Sequence, residues 1–264
     1  MSARLSSICL ALLLLAWPAA AQQPAVPLNP ETIQIGLSAD RVAITADFSG
    51  ADLTIFGSLD NADPQVSRQG RYDVVVVLEG PARRVVVRRK DRVLGMWINT
   101  ESETFVNVPV SYSVATTRMP QDITEPVNYR QLALGPENIH LQPADPNGNP
   151  ARLEEFRRAL RDRKTETGLY SMRVGGVEFL SDSLFRARVN LAPNVPVGSH
   201  RARAFLFRNG QFVKDSSAYL AIVKSGFEQS IANAANRYSL LYGVFAVLLA
   251  MISGWLGRII FRRD

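Results

Sequence analysis

The side chains with chemistry to offer are few and scattered. The 264-residue chain holds two histidines, His140 and His200, and a single cysteine, Cys9. Zinc and copper sites draw on several His or Cys ligands. The pattern therefore predicts no metal site and puts both histidines on the surface or in loops. There is no G-x-S-x-G elbow and no G-x-x-x-x-G-K loop, which removes the usual serine-hydrolase and phosphate-cradling signatures. Gly95 and the pair Gly175-Gly176 are too sparse to replace the latter. Glu154 and Glu155 are adjacent on an expected helix and point in different directions. They suit the positive end of a helix dipole better than shared acid–base work. These residues predict neither an enzyme nor a cofactor.

The densest polar feature is basic. Arg83-Arg84 is followed by Arg88-Arg89-Lys90 and by Arg92. Side chains alternate across a strand, so with Val85 and Val87 toward a core, Arg84, Val86, Arg88 and Lys90 share the outer face. Arg84, Arg88 and Lys90 are the candidate contact for a partner or an anion, including an acidic headgroup. The plainer reading is a solvated face, or an edge strand protected by charge. Trp97 lies close by in sequence and reads first as a core anchor between sheets, second as a binding aromatic.

Both ends of the chain carry apolar runs. Arg4, the stretch at 5–17 (LSSICLALLLLAW) and Ala19-Ala20-Ala21 follow the pattern of a secretory signal peptide over 1–21. Cys9 falls inside its apolar run, so the mature chain is expected to fold without a disulfide. Residues 239–257 contain no charge, about the length that crosses the hydrocarbon core as a helix. Tyr238 and Tyr242 at one end and Trp255 at the other suit the two interfaces, and Arg258, Arg262 and Arg263 outweigh Arg237. A transmembrane helix is expected over 238–260, with a cytoplasmic tail at 261–264 and the remainder periplasmic, so that the protein sits in the inner membrane as a single-pass protein. Gly243, Ala246, Ala250, Ser253, Gly254 and Gly257 recur at spacings of three and four. That small-residue stripe is the expected packing face toward a partner helix or a second copy.

Half of the net charge of +6 belongs to the two ends of the chain: Arg4 contributes +1, and Arg258, Arg262, Arg263 and Asp264 together +2. The remainder is mild for its size and predicts no nucleic-acid partner. Apolar residues make up 47% of the chain, too many for a disordered stalk. After a Pro-rich leader at 22–30, period-two runs and turn clusters recur through residues 31–118. The run at 72–78 (YDVVVVL) suits a central strand buried on both faces. A Pro-rich linker with a short amphipathic helix fills 119–164. Asn149 at its N-cap, Pro150 at its first position, and Leu153, Phe156 and Leu160 on one face define that helix. The β pattern returns over 165–225, where Asn209-Gly210 marks a hairpin, and a juxtamembrane helix is expected over 226–237. The expected fold is mainly β: two immunoglobulin-like β-sandwich lobes plus one C-terminal transmembrane α-helix.

The segments at 72–81 (YDVVVVLEGP), 85–99 (VVVRRKDRVLGMWIN), 108–119, 184–198 (LFRARVNLAPNVPVG) and 205–210, with the terminal YG, GW and FRR, resemble an alphaproteobacterial family of single-pass transmembrane proteins. The resemblance covers nearly all of the mature chain. That family has no defined activity, so it implies no catalytic residues. Its genes tend to lie beside a polytopic permease of the sulfite-exporter type, which implies a transporter partner. The expected function is a non-enzymatic accessory or binding subunit of a membrane transporter, with sulfur-oxyanion export as its setting. The alternative is a self-associating envelope scaffold or adhesion protein, a homo-oligomer on the lipid bilayer.

Overall fold

The computed structural model describes residues 30–45, 47–225 and 235–260. The expected signal peptide, residues 22–29 of the leader, most of the juxtamembrane segment and the tail at 261–264 lie outside the described residues. Strand β4 (Tyr72–Glu79) is buried at every position from Tyr72 to Leu78, as its unbroken apolar run requires. It lies inside a six-stranded sheet ordered β2 (Arg41–Ile44), β13 (Gln211–Lys224), β12 (Gly198–Arg208), β4, β7 (Tyr112–Thr116) and β9 (Tyr170–Val174).

Successive side chains of β4 feed two different cores. Val74, Val76 and Leu78 pack with Ile55, Phe185, Val189 and Leu206. These come in part from a four-stranded sheet ordered β1 (Thr32–Leu37), β3 (Ala51–Asp60), β11 (Leu184–Leu191) and β10 (Val177–Phe179). Val75 and Val77 face the other way and pack with Phe105, Tyr112, Phe156 and Phe207. That second core is roofed by a hairpin and three helices. They are the hairpin of β5 (Ala82–Val93) and β6 (Met96–Pro109), the short helices α2 (Pro120–Ile123) and α3 (Pro126–Gln131), and the longer helix α4 (Pro150–Glu166). A two-residue strand, β8 (Gln142–Pro143), completes the third sheet beside β6. Helix α1 (Pro64–Arg68) connects β3 to β4. Each fully buried Val, Leu or Phe contributes about 1.5–3 kcal/mol.

Helix α4 forms where the residues predict it. The Asn149 side chain accepts hydrogen bonds from the backbone N–H of Ala151 at 3.0 Å and Arg152 at 3.4 Å, capping the open end. Leu153, Phe156 and Leu160 are the buried residues of this helix. Arg157 and Arg161 reach across to the carbonyls of Leu141 and Ile139 at 3.1 and 3.3 Å, which ties the preceding loop down.

Two expectations about the fold are corrected. The paired immunoglobulin-like lobes do not form, because the strands of the two halves are interleaved. Strand β3 pairs with β11, opposing Ile55 to Ala187, and β4 pairs with β12, opposing Val76 to Ala204. Strands β2 with β13 and β7 with β9 pair in parallel. Period-two alternation states which face of a strand is buried and nothing about which strand lies beside it. The second correction concerns the C-terminal transmembrane helix expected over 238–260. Helix α5 (Ser239–Ile260) occupies that stretch, yet no helix formed by the described residues is long and apolar enough to cross a membrane.

Candidate functional site

The basic strand belongs to the β5–β6 hairpin. Its register breaks twice, between Arg83 and Val85 and between Arg89 and Lys90. Asn107, opposite the first break, takes a positive φ of 55°, as bulged strands often require. Alternation along β5 holds between the two breaks. Val85 and Val87 are half-buried against the second core, while the side chains of Arg84, Arg88 and Lys90 are exposed and form no ion pair or hydrogen bond among the described residues.

Arg89 is the contrasting member of the series. Its guanidinium donates to Glu101 at 2.9 Å, pairs with Glu155 of α4, and sits 5.5 Å from the centre of the Phe156 ring. These acids raise its pKa further. Arg152 of the same helix pairs with Glu103 on β6 at 2.5 Å. Arg89 therefore clamps the base of the hairpin to α4, and its neighbours are left to solvent. Glu155 serves this clamp, a use its place beside Glu154 gave no hint of.

From Asp91 to Thr100 every residue is exposed. Trp97 is 70% exposed, Met96 65% and Leu94 94%. The reading of Trp97 as a core anchor is overturned: it stands on a two-stranded ribbon beyond the point where α4 and the core give cover. The turn between the strands is Leu94-Gly95, with φ of 50° and 87°.

The histidines separate. His140 is exposed, as expected. His200 is fully buried in β12, because the strand starts at Gly198, within the segment that reads as a loop. Its Nε2 lies 3.1 Å from the Ser111 Oγ, and its Nδ1 lies 3.2 Å from the Gly198 carbonyl oxygen. Burial lowers the His200 pKa, and the Gly198 contact offsets this in part. Ser111 and His200 stand at the spacing of a nucleophile and base. Nδ1 faces a backbone carbonyl rather than a carboxylate, and no described cavity opens on the pair. The arrangement binds β7's leading loop to β12.

Sequence reasoning also missed Asp73, which is buried in β4 and accepts from Thr117 Oγ at 2.7 Å and Arg118 Nε at 2.8 Å. Arg118 lines an open polar cleft of about 700 Å³, with Arg71, Asp122, Thr124, Asn128 and Gln211 among its other walls. These partners lie tens of residues apart, so no local motif could announce them. Among the described residues no three His, Cys, Asp or Glu side chains converge as a metal site. The small-residue positions of α5 stand open: a Cβ at Gly243, Gly254 or Gly257 would meet nothing within 4 Å.

The chain is a mainly β protein: an interleaved β domain with a projecting basic and apolar hairpin, followed by an exposed apolar helix. Residues 32–263 match the family described as "Putative transmembrane protein (Alph_Pro_TM)". The chain belongs to this alphaproteobacterial family. No curated protein matches it. Among solved structures, AggA, the major subunit of aggregative adherence fimbriae type I from Escherichia coli, is similar over 75% of this chain and 97% of that chain. The identity is 8% and the TM-score 0.25, a likeness that carries no functional argument.

Proposed function

We propose that this protein is a non-enzymatic, membrane-associated binding or accessory subunit of a membrane transporter, with its β domain in the periplasm. The observation that carries the reading is the hairpin. Among the described residues, Arg84, Arg88 and Lys90 stand exposed and without acidic partners along the strand that leads to an exposed apolar tip, while Arg89 in the same strand is fully engaged. Unpaired cations on a strand anchored at its base form a surface made for contact. The family description supports association with a membrane. The partner is a polytopic permease, and the cargo class is a sulfur oxyanion meeting the basic strand. The test is purification of the full-length tagged protein in mild detergent. A permease retained in stoichiometric amount supports the reading. Recovery of this chain alone as a defined oligomer overturns it in favour of a self-associating envelope scaffold, which the open faces of Gly243, Gly254 and Gly257 in α5 would serve.

A further inference from the structure

The two tight hairpins of this protein share one backbone and differ in sequence. Asn209-Gly210 joins β12 to β13 with φ of 50° and 82°, and Leu94-Gly95 joins β5 to β6 with φ of 50° and 87°. Positive φ at both central positions is the type I′ turn, which favours Asn-Gly. The first hairpin obeys that preference. The second places leucine, a residue that adopts this conformation only at a cost, and leaves it 94% exposed. Folding does not account for leucine there, since Asn fits the turn better and loses no packing.

Around Leu94 the ribbon presents Met96, Trp97, Ile98 and Val93, all exposed. At about 3.4 Å per residue, Arg92 lies roughly 7 Å back from the turn, Lys90 roughly 14 Å, Arg88 roughly 20 Å and Arg84 roughly 34 Å. Amphipathic segments settle about 5–10 Å into the boundary between headgroups and acyl chains. Seated at that depth, the apolar tip meets chains, Trp97 lies where indole rings concentrate, and Arg92 and Lys90 reach the phosphates. A protein partner is the poorer fit, because an ordinary interface draws on about 20–30 residues a side. The freely projecting ribbon runs only from Asp91 to Thr100.

We propose that the β5–β6 hairpin is an insertion loop for an anionic lipid surface, with Leu94 and Trp97 as its wedge and Lys90 and Arg92 as its phosphate contacts. The inference rests on the reading above only in taking this hairpin as the contact surface. Arg88 adds attraction from the rim within about two Debye lengths, and Arg84 lies out of reach. Asp91 is the acid on this ribbon; it accepts from the Thr100 hydroxyl.

The test uses the full chain held in amphipol, which shields the exposed apolar side chains of α5. A Cys9→Ser, Leu94→Cys variant carries one environment-sensitive fluorophore at the tip. Vesicles of phosphatidylglycerol in phosphatidylcholine should shift its emission to the blue, and phosphatidylcholine vesicles should not. Lys90→Glu with Arg92→Glu should weaken vesicle affinity by about tenfold or more, whereas Arg68→Glu in α1, outside the hairpin, should leave it unchanged. Inorganic phosphate or sulfite in excess should not displace the vesicles. The proposal is overturned by a tip that stays in water with anionic vesicles, by an equal response to both vesicle types, or by a photocrosslinker at position 94 that captures a protein in cells. A permease recovered in detergent beside an unresponsive tip defeats this inference alone. A lipid response without a permease defeats the accessory-subunit reading alone.

Discussion

His200 Nε2 faces Ser111 Oγ at 3.1 Å with both side chains shut from solvent. The Gly198 carbonyl can only accept, so Nδ1 carries the proton and Nε2 accepts from the serine hydroxyl;. Gly80 closes the site: a Cβ there would come within 3.0 Å of Nε2.

The pair makes stability depend on pH. Burial lowers the His200 pKa below its ordinary 6.5, so the unfolded chain takes up a proton more readily than the folded one. The His200 contribution is then fully present above about 6.5. It is lost as pH falls from there through the lowered folded value. Denaturant unfolding from pH 7.5 down to 5 should show stability falling, and His200→Gln should flatten that slope. An identical slope in the variant would sink the assignment. Gly80→Ala should destabilise at every pH through the clash.

Gly57 makes a second close approach. It pairs with Phe185 across β3 and β11, and the ring lies where a Cβ of Gly57 would stand. Phe185 is itself fully buried. Gly57→Ala should cost about 1–3 kcal/mol by overpacking. Adding Phe185→Leu should restore part of that loss, since neighbours in contact are not additive. Simple additivity of the two changes in urea melts would contradict the contact.

Asp73 and Arg118 should respond unequally. Asp73 is 1% exposed and takes donors from Thr117 and both faces of the Arg118 fork. Arg118→Ala leaves the buried Asp73 carboxylate without its counter-charge and should cost on the order of 3 kcal/mol. The Arg118 side chain is 49% exposed, so after Asp73→Ala water takes up most of its donors and the cost should be about 1 kcal/mol. Equal losses in chemical denaturation would mean that the carboxylate is better hydrated than its burial states.

What could be read from the residues was local. The helix signal at Asn149-Pro150, the turn at Asn209-Gly210 and the doubly buried run at 72–78 each depend on neighbours within a few positions, and each forms as read. Partnership was not legible. Val76 opposes Ala204 on one side and Ala115 on the other, and nothing in a run of valines names either. Reading strands as two sets in chain order produced two lobes where the chain builds one interleaved fold. The hairpin was half legible. Alternation separated Val85 and Val87 from Arg88 and Lys90, but Trp97 could not be placed without knowing where α4 ends its cover.

The Leu94 turn allows stability and function to be pulled apart. Leucine at φ of 50° carries a backbone cost of about 1 kcal/mol that asparagine largely avoids. Leu94→Asn should therefore stabilise the fold by up to about 1 kcal/mol, and Asn209→Leu should destabilise it by a similar amount. On an anionic vesicle the order should reverse, with Leu94→Asn the weaker binder, because the wedge has lost its apolar side chain. A single substitution that raises the melting temperature and lowers lipid affinity cannot act by disturbing the domain. If Leu94→Asn instead raised stability and left lipid affinity untouched, the leucine would have no part in membrane contact, and the wedge would have to be sought in Trp97 and Met96.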